Sequence, residues 1–385
     1  MPVEAMASAT GTTTMEITVG KSELLRELTA TQGVVERKTT IPILSNYLFE
    51  AAGDRLSITA TDLDLSLRTS CNAKVKKEGS CTIPARKLHD YVKLLPDADI
   101  TIRLLENHWV SIRCGRSNTK MVGMARANFP TLPVFPTAGA VKIPGQVLRS
   151  MIAKTGFAIA NEESRYTLNG AQMILKPESI TMVATDGHRL SHIERPGEKF
   201  DGISGEMKTL VPKKAMDELK SLLDSTEADF IDFAKDESTL FFRIGPRLLT
   251  SRQLTGQFPN YEAVLPKDNN KSITLHCEEL SQAISRVAQF ADERSRAVRI
   301  KLESGELKLS ASSTETGESE DSLETDYRGE TLTIGFNAQY LLDFLKAAGS
   351  GDVKLELKDP QSAGQLRPAD SEDYKYRYIV MPMRI

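Results

Sequence analysis

Polar and apolar side chains alternate along Arg55-Leu-Ser-Ile-Thr-Ala-Thr61, Ser179-Ile-Thr-Met-Val-Ala-Thr185 and Glu306-Leu-Lys-Leu-Ser-Ala-Ser312. Successive side chains of a strand point to opposite faces, so this pattern predicts three half-buried strands. Elsewhere the apolar spacing changes to that of a helix. Short strand-like runs at Ile17–Val19, Val141–Ile143 and Ile273–Leu275 each lead into a helical stretch, Lys21–Leu28, Gln146–Ile152 and Glu278–Val287. A second set has the same plan: a strand feeding an amphipathic helix within Thr82–Leu95, Leu210–Leu223 and Thr333–Leu345.

These sets are copies of one another, at a spacing of roughly 125 residues, which is the length of a whole domain. A third block follows the second helix. Trp109–Cys114 reads as a strand leading to Asn128-Phe-Pro130, and Thr239–Ile244 as a strand leading to Gln257-Phe-Pro259. The last copy has no Phe-Pro tail and ends on a strand-like run, Tyr376–Ile385. Each unit is therefore α+β: strand, helix, several strands, twice over. Turn-rich stretches at Pro136–Ala140 and Pro266–Asn270 divide the chain into an expected 15–137, 138–267 and 268–385. Residues 1–14 stand outside the repeat and read as a disordered extension.

The chain has 385 residues, 40% hydrophobic and 26% charged, with 49 basic against 52 acidic side chains. A net charge of -3 excludes a bulk polycation or polyacid. It does not exclude a basic face, since Lys21, Arg26, Arg37, Lys38, Arg86, Lys87, Lys93, Arg149, Lys154, Lys213, Lys214, Lys220 and Arg286 gather on the repeated helices and their approaches. Acids collect elsewhere, notably along Glu315–Asp321. Such a basic lining attracts phosphates without regard to sequence; the plainer reading is that these cations only solvate helix faces. No apolar run approaches the ~18 residues a membrane span needs, and the N-terminus lacks the charged and apolar regions of a signal peptide. The expected location is the cytoplasm, which also suits four cysteines (Cys71, Cys81, Cys114, Cys277) without a CxxC pair.

No catalytic constellation emerges. Gly20-Lys21-Ser22 mimics the end of a phosphate-binding loop, but Met15 stands where its first glycine belongs. His188 and His192 have the i,i+4 spacing of helical zinc ligands, yet Asp186-Gly187 marks a turn between strands, and four strand residues span ~13 Å. No GxSxG occurs. The expectation is a non-enzymatic protein without metal or cofactor. Whole-domain repetition favours a curved or closed assembly over one deep cleft.

Thr40-Ile-Pro-Ile-Leu-Ser-Asn46, Ile83-Pro-Ala-Arg-Lys87, Val183-Ala-Thr-Asp-Gly-His-Arg-Leu190, Phe258-Pro-Asn-Tyr261 and Tyr378-Ile-Val-Met-Pro-Met-Arg-Ile385 together resemble the bacterial DNA polymerase III beta subunit, the replicative sliding clamp. The resemblance runs from about Met15 to Ile385. It implies three similar clamp domains per chain and a head-to-tail homodimer closing as a ring around duplex DNA, with helices lining the hole and sheets outside. Such a ring is a processivity factor: it tethers the replicative polymerase and is opened by an external ATP-driven clamp loader. The partners implied are duplex DNA, a second copy of the chain, the DNA polymerase III alpha subunit, the clamp loader, and other polymerases and repair proteins.

By matching position, the resemblance implies a hydrophobic pocket for linear peptide motifs at Leu168, Thr185, Gly187, His188, Arg189, Leu190, Pro259, Val264, Tyr340, Ile379, Met381, Pro382, Met383 and Arg384. Gly187 would allow a tight turn, and Arg189 would orient a peptide carbonyl or carboxylate. Ala263 departs from the arginine many relatives carry beside this pocket. DNA contacts are implied at Arg37, Lys38, Arg86, Arg165, Tyr166, Lys213 and Lys214, with Glu162 and Thr167 replacing more DNA-friendly residues. The dimer contact is implied at Lys87 and Thr119 on one side, and at Gln289, Phe290 and the acidic 315–321 segment, with Glu320, on the other; the plainer reading of that segment is a solvated loop. Two other functions stay open: a specialised clamp-like second copy, and an enzyme on the same domains, which a stoichiometric metal or nucleotide would reveal.

Overall fold

A computed structural model of the chain describes residues 14–36, 39–136, 139–161, 166–371 and 373–384. Packing gathers it into two units, the first from the described residues of Met1–Ala140 with Ser221–Arg252, the second Val141–Lys220 with Gln253–Ile385. The division falls inside the segment 138–267 because strand pairing crosses the sequence repeats, as the two sheets below show.

In the first unit one sheet orders its antiparallel strands as Lys74–Lys77, Glu16–Gly20, Asp99–Leu104, Trp109–Cys114 and Ser117–Val122. A longer sheet runs Phe230–Lys235, Thr239–Ile244, Arg247–Arg252, Leu65–Asn72, Arg55–Thr61, Asn46–Ala52 and Gly79–Pro84. The pairing of Thr250 with Ser66 joins the hairpins of two repeats into this sheet. The second unit repeats the device. Its larger sheet runs Met207–Pro212, Gly170–Lys176, Ser179–Thr185, Arg189–Pro196, Lys375–Val380, Gly364–Pro368, Asp352–Leu357 and Lys271–His276, and Leu190 pairs with Ile379 across repeats. Its smaller sheet runs Gly317–Glu324, Glu306–Ser313, Ala297–Glu303 and Leu332–Asn337.

Among the described residues six helices follow strands directly: α1 (Lys21–Thr31), α2 (Ala85–Leu94), α3 (Gly145–Thr155), α4 (Lys213–Ser225), α5 (Cys277–Ala288) and α6 (Ala338–Ala348). With no loop between strand and helix there is little room for a side-chain cap. Only Asn337 caps in this way among the helices whose N-caps are described, accepting from the amides of Gln339 (2.9 Å) and Tyr340 (3.4 Å). Each helix buries one stripe. In α2 it is Ala85, Leu88 and Val92, at helical spacing, which leaves Arg86, Lys87 and Lys93 exposed. In α4 the buried stripe is Ala215, Met216, Leu219, Leu222 and Leu223, and Lys214 and Lys220 face solvent. The strands expected over 55–61, 109–114, 179–185 and 239–244 form with those bounds. The acidic 315–321 segment is not a solvated loop: Gly317–Glu324 is an edge strand, and α5 packs on it through Arg286 Nε, 2.6 Å from Asp321 Oδ2.

The first unit also buries an ion pair. Glu27 on α1 and Arg247 are 1% and 5% exposed and share two hydrogen bonds, Nε to Oε2 at 3.0 Å and the second guanidinium nitrogen to Oε1 at 3.2 Å. Thr69 Oγ1 donates to Oε2 at 2.5 Å and Arg26 Nε to Oε1 at 2.8 Å. Arg247 also donates to Thr226 Oγ1 at 2.7 Å. Burial pushes the Glu27 carboxyl up, but these donors outweigh it and hold its pKa below the ordinary value.

Candidate functional site

The hairpin that joins Ser179–Thr185 to Arg189–Pro196 builds one wall of a cavity. Thr185 Oγ1 donates to the Arg189 carbonyl (2.6 Å) and accepts from the Gly187 amide (3.1 Å). Asp186 Oδ1 accepts from the amides of His188 (2.9 Å) and Arg189 (3.0 Å). Gly187 sits at φ +91°, the positive value that a tight hairpin needs at its first central residue. Thr-Asp-Gly is thus a turn specification. The His188 carbonyl then accepts from the Met381 amide at 2.9 Å, which fixes the C-terminal segment beside the turn.

The cavity that results holds about 160 Å³ and is lined by Leu168, Thr185, Gly187, Arg189, Leu190, Pro259, Tyr261, Val264, Ile379 and Met381. Beneath it Val183, Leu190, Leu210, Phe258 and Ile379 form a buried cluster that holds the walls in place. Val264 and Met381 are 43% and 44% exposed at its mouth. The lining is almost wholly aliphatic and aromatic, suited to one or two apolar side chains of a partner. Tyr261, absent from the expected set although part of Phe258-Pro-Asn-Tyr261, is held by ring contact with His192, 5.5 Å between centroids. His192 is buried, and burial holds its pKa below the usual histidine value.

The expected pocket residues divide. Pro382, Met383 and Arg384 line a second cavity of about 770 Å³ with Gly335, Pro360 and Gln361, because the Met383 amide bonds the Gly335 carbonyl at 2.8 Å and carries the tail onto the smaller sheet. His188 is exposed and contributes its backbone to the turn. Tyr340 lies under the Arg189 guanidinium, 4.3 Å from its centroid. Arg189 itself is turned inward: 10% exposed, it donates to Asp186 (3.0 Å), Asp343 (2.6 Å) and the Phe157 carbonyl (2.6 Å). With three of its five donors spent in this way, it braces the cavity wall.

The first unit contains the same turn in more polar surroundings. Thr61 Oγ1 donates to the Leu65 carbonyl and accepts from the Leu63 amide, each at 3.0 Å. Asp62 Oδ1 accepts from the amides of Asp64 and Leu65 (3.0 and 2.6 Å), and the Arg252 amide bonds the Asp64 carbonyl as Met381 bonds His188. Leu63 stands for Gly187, Ser66 for Leu190, Thr250 for Ile379 and Arg252 for Met381, so polar groups replace the apolar lining. Leu63 sits at φ +83° with 48% exposure, a left-handed conformation costing a leucine about 1–2 kcal/mol. Leu63→Gly is expected to gain about 0.5–1 kcal/mol after the greater chain entropy of unfolded glycine is subtracted. The urea midpoint reads it, and a lower midpoint would disprove the strain.

The basic candidates are placed unevenly. Arg86 is exposed on α2, Tyr166 is 53% exposed in a short 3-10 turn, Lys214 is exposed, and Lys213 pairs with Asp217 at 3.0 Å. Arg37, Lys38, Glu162 and Arg165 lie outside the described residues. Lys21 and Lys154 donate to the carbonyls of Leu95 and Ala347, the latter at 3.2 Å. Of the contact candidates, Lys87 is exposed on α2 and Thr119 lies on the edge strand Ser117–Val122. Gln289 is exposed and Phe290 half-buried beyond α5, and Glu320 is exposed on the other edge strand, Gly317–Glu324.

Three family models match the chain: the N-terminal domain of the DNA polymerase III beta subunit over 15–133, its central domain over 142–260 and its C-terminal domain over 262–384. The beta sliding clamp of Caulobacter vibrioides is 35% identical over 377 residues, covering 96% of this chain and 100% of that one. That of Pseudomonas putida is 36% identical over 375 residues, with the same coverage. Among solved structures, the beta sliding clamp of C. crescentus superimposes with a TM-score of 0.90 at 35% identity, over 97% of this chain and 100% of that one. A Pseudomonas aeruginosa sliding clamp bound to griselimycin gives 0.89 at 35% identity, over 96% and 100%.

Proposed function

The chain belongs to the DNA polymerase III beta subunit family, the sliding clamps, and from this premise we propose that it works as a head-to-tail homodimer encircling duplex DNA. The observation that carries the reading is the run of three clamp-domain matches along one chain. On this reading 15–137, 138–267 and 268–385 are three clamp domains, and two copies supply six. The ring catalyses nothing: it holds DNA by topology, and its partners, the DNA polymerase III alpha subunit, the clamp loader, and other polymerases and repair proteins, bring the chemistry. Among the described residues no helix is long and apolar enough to cross a membrane, and we place the protein in the cytoplasm with the DNA it serves.

Two features support closure. Among the described residues Ser117–Val122 and Gly317–Glu324 each end a sheet with one side unpaired, and an unpaired edge is a template for another strand. Lys120 lies on the first and Glu318 and Glu320 on the second, so joining the edge of one copy to the other edge of the next pairs opposite charges. Lys87, Thr119, Gln289, Phe290 and Glu320 are the contacts assigned to this junction. Weak phosphate contacts from Arg86, Lys213, Lys214 and Tyr166 leave such a ring free to slide. The apolar cavity, with Met381 and Val264 at its mouth, takes the linear motif of each partner.

The test places the protein on a nicked circular plasmid with a bacterial clamp loader and ATP, then cuts the circle once. Retention on the closed circle and loss after cutting at moderate salt is the expected result. Equal retention on circle and linear DNA would mean a direct grip on phosphates or bases, and the ring would have to be abandoned.

A further inference from the structure

The single tryptophan of the chain, Trp109, is 44% exposed on the solvent face of the five-stranded sheet in the first unit. The opposite face of that sheet carries the core residues Ile17, Val19, Ile100, Ile102, Val110 and Ile112. The backbone delivers Trp109 there through two successive left-handed residues, Asn107 (φ 54°) and His108 (φ 62°). Beside it lies a groove of about 740 Å³.

Strand register orders this face into two rows. Leu105, Trp109 and Val122 stand side by side, since the Leu105 amide bonds the Trp109 carbonyl at 2.7 Å and Trp109 pairs with Val122. Two residues along, Arg103, Ser111 and Lys120 face one another across the same three strands. The rows are about 7 Å apart, the rise of two strand residues. Small Ser111 leaves the space between two cations open. Lys76, Arg103, Arg113 and Lys120 face Glu16 and Asp99 here, with Glu106 on the groove rim beyond the apolar row; Glu16 takes Lys76 at 2.9 Å and stands 3.8 Å from Arg103.

We propose that this face binds single-stranded nucleic acid, a base stacking on Trp109 while the adjoining phosphates follow Arg103 and Lys120. An aromatic row beside a cationic row on an open sheet face is how stacking and phosphate contact are delivered together. A duplex hides the faces of its bases, so the site selects unpaired strands. The inference rests on the clamp reading only for where such a strand comes from, the unpaired template beside the duplex. Thr119 points to the other face of its strand; of the site's residues only Lys120 stands on the edge strand assigned to the ring junction, while Trp109 and Arg103 lie on inner strands of the sheet.

Trp109 is its own reporter. Titrating the full protein with oligothymidylate at about 50 mM salt is expected to quench tryptophan emission, with affinity falling about sevenfold by 200 mM if two phosphates are held. Poly-L-glutamate of equal charge is expected to quench little. By anisotropy of labelled oligothymidylate, Trp109→Ala loses at least about fivefold in affinity, and Trp109→Phe recovers most of it. Arg103→Ala with Lys120→Ala flattens the salt dependence. Binding by Trp109→Ala equal to the parent, or equal quenching by polyglutamate, would overturn the proposal; the second would make the face a docking surface for an acidic peptide. Retention of Trp109→Ala on nicked circles should match the parent, so failure of the ring reading is read separately from failure here.

Discussion

Arg247→Met is expected to destabilise the first unit by about 3–5 kcal/mol, the usual cost of removing one partner of a buried ion pair. The loss of attraction is the smaller part of this. Glu27, 1% exposed, keeps only Arg26 and Thr69 as donors, and its charge then has little but protein around it. In the parent the Glu27 pKa is depressed, so the pair stabilises the fold above the ordinary glutamate range and ceases to do so as pH falls through the lower native value. In Arg247→Met the sign reverses. Protonation relieves the orphaned carboxylate, so the deficit against the parent shrinks on acidification. Glu27→Leu combined with Arg247→Met removes both charges and should recover most of the loss. Urea unfolding at pH 7 and pH 5 checks all three variants. A single-variant cost under about 1 kcal/mol, or a deficit that grows on acidification, would mean the pair is solvated rather than buried.

This pair also marks what the sequence could not disclose. The strands and helices were legible because alternation and helical spacing are local: 55–61, 109–114, 179–185 and 239–244 are read from their own residues. The α+β plan and the triplication followed from the same patterns. Pairing across repeats was not legible. Nothing in Leu65–Asn72 says that its neighbour is Arg247–Arg252, and Glu27 lies 220 positions from Arg247. Most of the cavity lining came from the resemblance, which carries positions without their orientation. Hence Arg189 was expected to meet a peptide, while Asp186, Asp343 and Phe157 draw it inward. Hence also Met381 and Met383 were expected in one pocket, although the bond from the Met383 amide to the distant Gly335 carbonyl turns the tail onto another sheet and into a different cavity. Tyr261 was within a quoted motif, but its role depends on His192, a contact between distant segments.

Met381→Asp should weaken binding of a clamp-binding peptide by about 100-fold, roughly 2.7 kcal/mol, while leaving thermal stability and dimerisation within error of the parent. The position is chosen for its exposure. Leu190 and Ile379 line the same cavity, but both are buried in the cluster beneath it, and changing them would confound binding with folding. Met381 is 44% exposed and is held by its backbone, through an amide that aspartate also possesses. The substitution removes the apolar contact of one wall and puts a carboxylate where a partner's aliphatic side chain must displace water. Each effect is worth about 1–3 kcal/mol, the second because a charge is desolvated without a partner. Val264→Asp approaches the same volume from another segment and should act alike. Met383→Ala, in the second cavity, decides the length of the motif: a loss there extends the peptide along the C-terminal tail, and no loss confines it to the 160 Å³ cavity. Undiminished affinity in both Met381→Asp and Val264→Asp would remove this cavity as the site where partners dock.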